Sequence, residues 1–248
     1  MKAMILAAGY GTRLRPLTND LPKPLLPVGP RPLIYYNLLL LKKYGITDVF
    51  INVHYLADKI IKEVGNGLRF GMNITYSEES QILGTGGGIK NIQTAIARGT
   101  FLVVNADILI DLNLDKLVEF HHRKKGAATL VLREDPEVDR FGAIEVDPKD
   151  QIRNILGKTT WNGEKARRMM FTGVHVMEPH VMDYVPARTF YSITDAYVEM
   201  LRKNEKLFGY VTRGYWNDIG EIDRYKKADR DLKQGKIRLS YIRSETAV

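Results

Sequence analysis

The 248-residue sequence contains no cysteine. Disulfide bonds, a thiolate nucleophile and a cysteine-ligated zinc site are therefore excluded. The sequence also lacks the run of roughly 20 apolar residues that a membrane-spanning helix needs. The apolar start, residues 1–6, is too short for a secretory signal. We therefore expect a globular cytoplasmic protein that has no membrane partner.

Acidic residues are fewer than basic ones, which leaves a net charge of +8. The excess of Lys and Arg lies in residues 1–50 and 201–248, whereas the middle of the chain is close to neutral. Such an excess attracts polyanions in general, including nucleic acid, anionic membranes and nucleotide phosphates. It is equally typical of solvated surface. Hydrophobic residues make up 44% of the chain, which excludes a disordered protein.

Short apolar runs alternate with amphipathic helical patterns along the first half of the chain. We predict strands at residues 4–6, 48–53, 72–76, 101–104 and 127–132, and helices at residues 33–44, 57–64, 89–97 and 114–124. Further on we predict strands at 141–146, 152–156 and 169–177, and helices at 193–203 and 221–233. The alternation predicts an α/β fold, Rossmann-like, with a mostly parallel central sheet, helices on both faces and a β-rich elaboration.

The most informative segment is a glycine loop that follows the first predicted strand. Its candidate ligand-binding residues are Ala8, Gly9, Gly11, Thr12 and Arg13. Glycines let backbone N–H groups face phosphate oxygens, and an arginine adds a fixed positive charge. Leu14 stands where a dinucleotide fingerprint would need a third glycine, and the loop contains no Gly-Lys-Ser/Thr of the Walker A type. The loop therefore predicts a phosphate site of another kind.

The segment Met4–Pro27, together with the run Leu21-Pro22-Lys23-Pro24-Leu25-Leu26-Pro27-Val28, resembles the signature of the sugar-phosphate nucleotidyltransferases. The resemblance extends over about residues 1–235 and implies the nucleotide-diphospho-sugar transferase fold. It implies that the loop wraps a nucleoside triphosphate and that Lys23 contacts the reacting phosphate. Arg13 and Lys23 would be the catalytic cations. We expect one domain over 1–248, with a nucleotide-binding half at about 1–110, a sugar-binding half at about 111–235 and a tail at about 236–248.

Two further segments match motifs of this family. Ser80–Gly88 resembles its second glycine segment, which implies that Gln81 and Gly86 contact the base. Asp107 stands at the family's magnesium-binding position, and Asp218 lies in a Trp-x-Asp-Ile-Gly match that completes the metal site. Mg²⁺ takes one or two carboxylates in addition to phosphate oxygens and water. If residues 105–107 continue a strand, Asn105 and Asp107 face the same side.

The sugar side of the resemblance is less complete. It implies that Asn105, Gly142 and Lys158 bind the sugar phosphate, but Gly157 stands where many relatives carry a glutamate for the sugar. Ser192 begins a segment similar to the family's Ile-Thr-Asp helix start, which is an N-cap pattern. We interpret the five histidines as structural and the basic run His121–Lys125 as the solvated end of a helix.

The short length and the Gly-Thr-Gly-Gly-Gly segment are most similar to compact uridylyl- and guanylyltransferases that act on N-acetylmuramate, mannose or heptose 1-phosphates. The expected reaction joins UTP or GTP to a sugar 1-phosphate, with Mg²⁺ as cofactor. Alternatives are a cytidylyltransferase for phosphocholine or a similar small phosphate, and a non-catalytic nucleotide-sugar-binding subunit. Net charge alone suggests a nucleic-acid-binding protein, but no recognition motif supports a nucleic-acid partner. A homo-oligomer is left open.

Overall fold

The computed structural model describes residues 1–161 and 165–242. The last six residues of the tail predicted at 236–248 lie outside the described residues. The strands are β1 (Lys2–Leu6), β2 (Pro27–Val28), β3 (Arg31–Pro32), β4 (Asp48–Val53), β5 (Asn73–Glu78), β6 (Phe101–Asn105), β7 (Ile108–Ile110), β8 (Ala128–Arg133), β9 (Ala143–Val146), β10 (Ile152–Ile155), β11 (Arg167–Met177), β12 (Leu207–Val211) and β13 (Trp216–Asp218). The helices are α1 (Leu33–Lys43), α2 (Ala57–Val64), α3 (Gly84–Asn91), α4 (Gln93–Ile96), α5 (Leu114–Lys124), α6 (Val138–Phe141), α7 (Ile193–Arg202) and α8 (Ile222–Lys233).

These elements form the α/β fold with a central, mostly parallel sheet that the sequence predicts. The chain divides into two compact units. We call one the N-terminal unit, which comprises Lys2–Ile82, Val104–Leu112 and the chain from Gly214 onwards. The other is the central unit, which comprises Leu83–Val103 and Asn113–Arg213. Whether they act as the predicted nucleotide and sugar halves stays a prediction.

Strands β1, β4 and β5 are parallel neighbours in the N-terminal unit. Their apolar runs are buried, as in a parallel sheet covered on both faces, and Ile5 and Ile51 are fully inaccessible. Just beyond β6, the Ala106 N–H donates to the Leu6 carbonyl at 3.0 Å. The carboxyl ends of β1 and β6 therefore lie side by side, which brings the segments that follow them together.

The central unit contains the antiparallel part that the sequence predicts as a β-rich elaboration. Strand β11 pairs antiparallel with both β8 and β9, and β9 pairs antiparallel with β10. Strand β12, which the sequence analysis missed, pairs parallel with β8. In the part of the chain that the structure describes, no helix is long and apolar enough to cross a membrane.

Two predicted element starts were wrong at glycines, and the helix predicted over residues 89–97 is divided into α3 and α4. The helix predicted from Ile89 begins at Gly84, because the N–H groups of Gly86 and Gly87 donate to the Tyr191 carbonyl and a helix start of glycines lets that backbone approach. The strand predicted from Phe141 begins at Ala143. Phe141 instead closes the short helix α6, and Gly142 turns the chain with φ +88°.

The interpretation of the run His121–Lys125 as solvated was wrong for its first residue. His121 is 1% exposed, and its ring nitrogens bond to Thr129 Oγ1 at 2.9 Å and to Glu178 Oε1 at 3.0 Å. The run does form the end of α5, as predicted. The histidine is buried because the last turn of an amphipathic helix still presents one residue to the strand beneath it.

Candidate active site

The glycine loop leaves β1 at Leu6 and remains close to Lys23. Gly11 has φ +64°, and a Cβ there would lie 3.2 Å from both Lys23 Cβ and Thr18 Cγ2. The Thr18 hydroxyl donates to the Gly11 carbonyl at 2.8 Å. A Cβ at Gly9, by contrast, would have no heavy atom within 4 Å. The loop is therefore tightly packed at Gly11 and open at Gly9, where a ligand can approach the backbone.

Lys23 is the cation at the centre of the candidate site. Although it is a lysine, it is only 8% exposed, in a short 3-10 turn over Lys23–Leu25. Its ammonium lies 2.6 Å from Asp107 Oδ2 and 3.9 Å from Asp218 Oδ1. A buried lysine requires such partners, because removing an ammonium from water is costly. Three residues from distant parts of the sequence thus form one charged cluster.

A small antiparallel pair of strands places the two aspartates beside each other. Strand β13 pairs with β7 so that Asp218 is opposite Ile108, the residue after Asp107. The Ile219 N–H then donates to the Asp107 carbonyl at 2.9 Å. Asp107 lies in the turn between β6 and β7, so the prediction that it continues the strand of Asn105 was wrong. The turn, and not strand alternation, directs its carboxylate to Lys23.

The Asp218 carboxyl is in an unusual electrostatic environment. Burial, and after it the negative charge of Asp107, raises its pKa, while Lys23 and Arg13 oppose the rise. Its Oδ1 atom is buried and has no hydrogen-bond partner among the residues that the structure describes. Two carboxylates close together, one with an unsatisfied buried oxygen, fit a divalent cation. Within the described ranges no group of three or more His, Cys, Asp or Glu side chains could hold a metal.

Arg13 lies at the edge of this cluster. Its side chain is 64% exposed, and a guanidinium nitrogen lies 3.9 Å from Glu221 Oε1. Arg13 and Asp218 both lie close to Gly220. A Cβ at Gly220 would be 2.8 Å from Asp218 Oδ1 and 3.2 Å from Arg13 Nη2. Thr12 and Arg13 share a short 3-10 turn that leaves the arginine exposed. Arg13 is therefore exposed to solvent close to Asp218, where it is able to meet an anion.

The two residues predicted to contact the base lie in different units. Gln81 is exposed in the N-terminal unit, and Gly86 is buried in α3 of the central unit. The Gly86 N–H already donates to the Tyr191 carbonyl at 2.8 Å, and a Cβ there would lie 3.1 Å from that oxygen. Close packing therefore accounts for the glycine, and its contact with a base stays a prediction.

The residues predicted for the sugar phosphate likewise belong to different units. Asn105 is in the N-terminal unit, where its carbonyl accepts a 3.4 Å bond from Asn37 Nδ2. Gly142 and Lys158 are in the central unit. A Cβ at Gly142 would overlap Leu156 Cδ2 at 2.0 Å, so packing also requires this glycine.

Lys158 is half exposed and ion-paired with Asp195 Oδ1 at 2.7 Å. Gly157-Lys158-Thr159 is a Gly-Lys-Thr sequence, but Ile152 stands where a Walker A loop has its first glycine. Asp195 lies in the first turn of α7, where Ser192 is the N-cap residue, as predicted. The Ser192 side chain makes no capping bond to the helix backbone, however. The Ile193 N–H donates instead to Thr85 Oγ1 at 2.9 Å.

Three polar residues lie behind the glycine loop, and the sequence analysis missed the contacts that they make. Asn52 and Glu79 are 3% and 6% exposed, and the Asn52 amide joins the Ala7 N–H to the Glu79 carboxylate. His54, interpreted only as structural, bonds to both Glu79 and Tyr10. The one available signal was an asparagine within the apolar run of β4, because a polar residue in a buried parallel strand needs partners.

Comparison with known proteins identifies the family. A UTP–glucose-1-phosphate uridylyltransferase of Synechocystis is 33% identical over 96% of this chain and 65% of its own length. A mannose-1-phosphate guanylyltransferase of Mycobacterium tuberculosis is 32% identical over 94% of this chain and 65% of its own. The chain thus spans about 65% of the length of these curated relatives.

A solved structure from Bacillus anthracis, provisionally assigned as a glucose-1-phosphate thymidylyltransferase and in complex with a sucrose, superposes with a TM-score of 0.82. It is 25% identical and covers 94% of this chain and 95% of that one. The family model described as nucleotidyl transferase matches residues 2–235, and the chain therefore belongs to that family. The family resemblance drawn from the sequence motifs is confirmed.

Proposed function

We propose that this protein transfers a nucleotidyl group from a nucleoside triphosphate to a sugar 1-phosphate and releases pyrophosphate. The observation that carries the proposal is the cluster of Lys23, Asp107 and Asp218 beside the glycine loop. The names of the relatives, which all refer to nucleotidyl transfer onto sugar 1-phosphates, support it. They give no support to phosphocholine as the acceptor.

The main barrier to this reaction is charge. A sugar phosphate and a triphosphate repel each other by about 4 kcal/mol per charge pair at 4 Å and an effective dielectric constant of about 20. We assign Lys23 to the α-phosphate and Arg13 to the leaving pyrophosphate. The backbone of Gly9 and Gly11, with Ala8 and Thr12 beside them, faces the triphosphate. Fixed charges and N–H groups of this kind are already oriented before the reaction and stabilise the charge of the transition state.

Asp107 and Asp218 are the residues that would hold a divalent cation, which we take to be Mg²⁺. Their carboxylates are hard oxygen ligands, and the unsatisfied Asp218 Oδ1 fits a cation. When bound, Mg²⁺ supplies charge neutralisation for phosphate oxygens. Lys23 lies against both carboxylates and holds positive charge at the same place.

The sugar phosphate is assigned to Asn105, Gly142 and Lys158. An oxygen of the sugar phosphate attacks the α-phosphorus, a new phosphorus–oxygen bond forms, and the bond to the β-phosphate breaks. Pyrophosphate takes the electron pair of that bond. The attacking oxygen is already ionised, so no side chain has to act as a base. Lys158 would leave Asp195 to meet the incoming phosphate, since both are exposed enough to move.

The nucleotide in our proposal is UTP or GTP, and Gln81 and Gly86 are the candidate contacts to its base. An amide both donates and accepts, so Gln81 is compatible with either base. The relatives named above use different bases, in agreement with a fold that accepts several. We place the reaction in the cytoplasm, where nucleoside triphosphates are available.

The test is pyrophosphate release by the purified protein over a grid of nucleotides and acceptors with Mg²⁺. The nucleotides are UTP, GTP, dTTP, ATP and CTP, and the acceptors are glucose, mannose and N-acetylmuramate 1-phosphates and phosphocholine. We expect release with UTP or GTP and at least one sugar 1-phosphate. Release with CTP and phosphocholine alone, or with no pair, would refute the proposal.

A further inference from the structure

Behind the glycine loop, a buried asparagine makes two hydrogen bonds that join two chain segments. Asn52 Oδ1 accepts from the Ala7 N–H at 2.8 Å, and Asn52 Nδ2 donates to Glu79 Oε1 at 2.7 Å. Ala7 directly precedes the loop, and Glu79 lies two residues before Gln81. One side chain at the end of β4 therefore connects the start of the glycine loop to the segment that leads to the predicted base contact.

His54, two residues further on, makes a second connection between the same two segments. Its Nδ1 lies 2.7 Å from the Glu79 carbonyl, and its Nε2 lies 3.2 Å from the Tyr10 hydroxyl. A carbonyl can only accept, so Nδ1 carries a proton and donates to it. Nε2 lies within hydrogen-bond distance of the Tyr10 hydroxyl. Asn52 and His54 thus tie both ends of residues 7–10 to Glu79.

We propose that Asn52 and His54 are positioning residues for nucleotide binding. They fix the glycine loop relative to the Glu79–Gln81 segment before the nucleotide arrives. The inference rests on the proposed function, in which that loop takes the triphosphate and that segment reaches the base. Asn52 is the more important of the two positioning residues. Only a side chain with both an acceptor and a donor can bond to the Ala7 N–H and to the Glu79 carboxylate at the same time.

The physical reason lies in the cost of unpaired polar groups. Ala7, Asn52 and Glu79 are all less than 10% exposed, at 4%, 3% and 6%. A buried N–H or carboxylate that loses its partner pays its full desolvation penalty, so the bonded arrangement is favoured over alternatives. Preorganisation of this kind acts mainly on affinity for the ligand that the loop receives. The expected effect is therefore on the nucleotide and not on the sugar phosphate.

The test exchanges the amide of Asn52 and the carboxylate of Glu79, first singly and then together. Asn52→Asp keeps the acceptor for Ala7 but sets a carboxylate against Glu79, so at pH 8 the KM for the nucleotide should rise about tenfold, the size of one buried hydrogen bond. Glu79→Gln alone still accepts from Asn52 and should have a small effect. In the double variant the new amide at position 79 donates to the new carboxylate at position 52, so the KM should return to within about threefold of wild type.

The controls separate positioning from stability. Asn73→Asp makes the same chemical change at the other end of the β4–β5 pair, where Asn73 is exposed and bonded to Asp48, and it should leave both KM values unchanged. The KM for the sugar 1-phosphate should stay within about twofold in every variant. Should Asn52→Asp fail to fold, His54→Leu at a half-buried position should still raise the nucleotide KM about threefold.

The outcomes distinguish this inference from the proposed function. A wild-type protein without turnover refutes the proposed function. Turnover in the wild type together with an unchanged nucleotide KM in folded Asn52→Asp, or in His54→Leu, refutes the inference alone. A double variant as impaired as Asn52→Asp also refutes it.

Discussion

At the scale of single residues, charge at Lys23 decides what the candidate site can bind. Its ammonium contacts Asp107 and approaches Asp218, and burial together with the charge of Asp107 raises the Asp218 pKa. One buried cation between two acids leaves a net negative centre that favours a divalent cation. Arg13, at the exposed edge, then restores positive charge for an anion. This arrangement of charges agrees with the proposed binding of a divalent cation and phosphates.

A second buried residue, His175, lies outside the candidate site, and we expect it to make the free energy of unfolding depend on pH. Burial lowers the pKa of His175 to about 3. In the unfolded chain a histidine titrates near pH 6.5, so below that pH the unfolded state binds a proton that the folded state does not. The free energy of unfolding should therefore decrease as the pH falls from 6.5 towards 3, by about 3 kcal/mol at pH 4. His175→Gln should remove this contribution.

Urea unfolding at pH 7, 5 and 4 measures the effect. The wild-type stability should fall more steeply with acid than that of His175→Gln. His180→Gln, at an exposed histidine five positions further along the chain, is the matched control and should keep the wild-type slope. Equal slopes in the wild type and His175→Gln would contradict the account.

At the scale of elements, the short β7–β13 pair is what creates the candidate site. Two three-residue strands bring Asp218 opposite Ile108, and Gly220 lies two residues further on. The pair contributes little burial of its own beyond the apolar residues of β7, yet it fixes the distance between the two acids. A change there should affect chemistry more than stability.

Gly220→Ala tests this expectation. A Cβ at position 220 would lie 2.8 and 3.0 Å from the two carboxylate oxygens of Asp218, which are the end of a movable side chain. We expect the carboxylate to shift, kcat to fall by about 10- to 100-fold, and Tm to change by less than ~3 °C. Steady-state pyrophosphate release and thermal unfolding measure the two effects.

Gly126→Ala provides the opposite pattern as a control. Its Cβ would lie 2.7 Å from the Lys206 carbonyl and 2.6 Å from the Phe208 ring in the central unit. Backbone atoms cannot move aside without straining the fold. The free energy of unfolding should therefore fall by about 2 kcal/mol, while kcat per folded molecule is retained. A Gly220→Ala protein with wild-type kcat would show that the position of Asp218 is not critical.

Most elements were predictable from periodicity, whereas the contacts of the site were not. Strand β4 and helices α2 and α5 have the predicted bounds, because their apolar patterns extend over whole elements. Strands β7 and β13 were missed, because three residues carry no period. The motif resemblance singled out Lys23, Asp107 and Asp218, whose side chains the structure brings together. Asn52 was missed because a single polar residue in a strand does not reveal its partner.

At the scale of the whole molecule, the net charge of +8 acquires a partial explanation. Lys23 and Arg13 account for only two of the 37 basic residues, and both have proposed phosphate roles. Near the other end of the chain, Lys227 and Lys233 pair with acids one helical turn away on α8. Such pairs are typical of a solvated helix face. The charge total was therefore a weaker guide than the position of a few charges.

The central claim is that Asp107, with Asp218 and Lys23, carries the chemistry of nucleotidyl transfer. Asp107 and Asp111 flank the same strand, β7, but Asp111 bonds to Ser240 and lies outside the charged cluster. The most direct test is Mg²⁺-dependent pyrophosphate release by the wild type, Asp107→Asn and Asp111→Asn at saturating nucleotide and sugar 1-phosphate. We predict that Asp107→Asn loses activity by about 100-fold or more while Asp111→Asn stays within about threefold of wild type. Wild-type release by a folded Asp107→Asn protein at saturating Mg²⁺ would contradict the account.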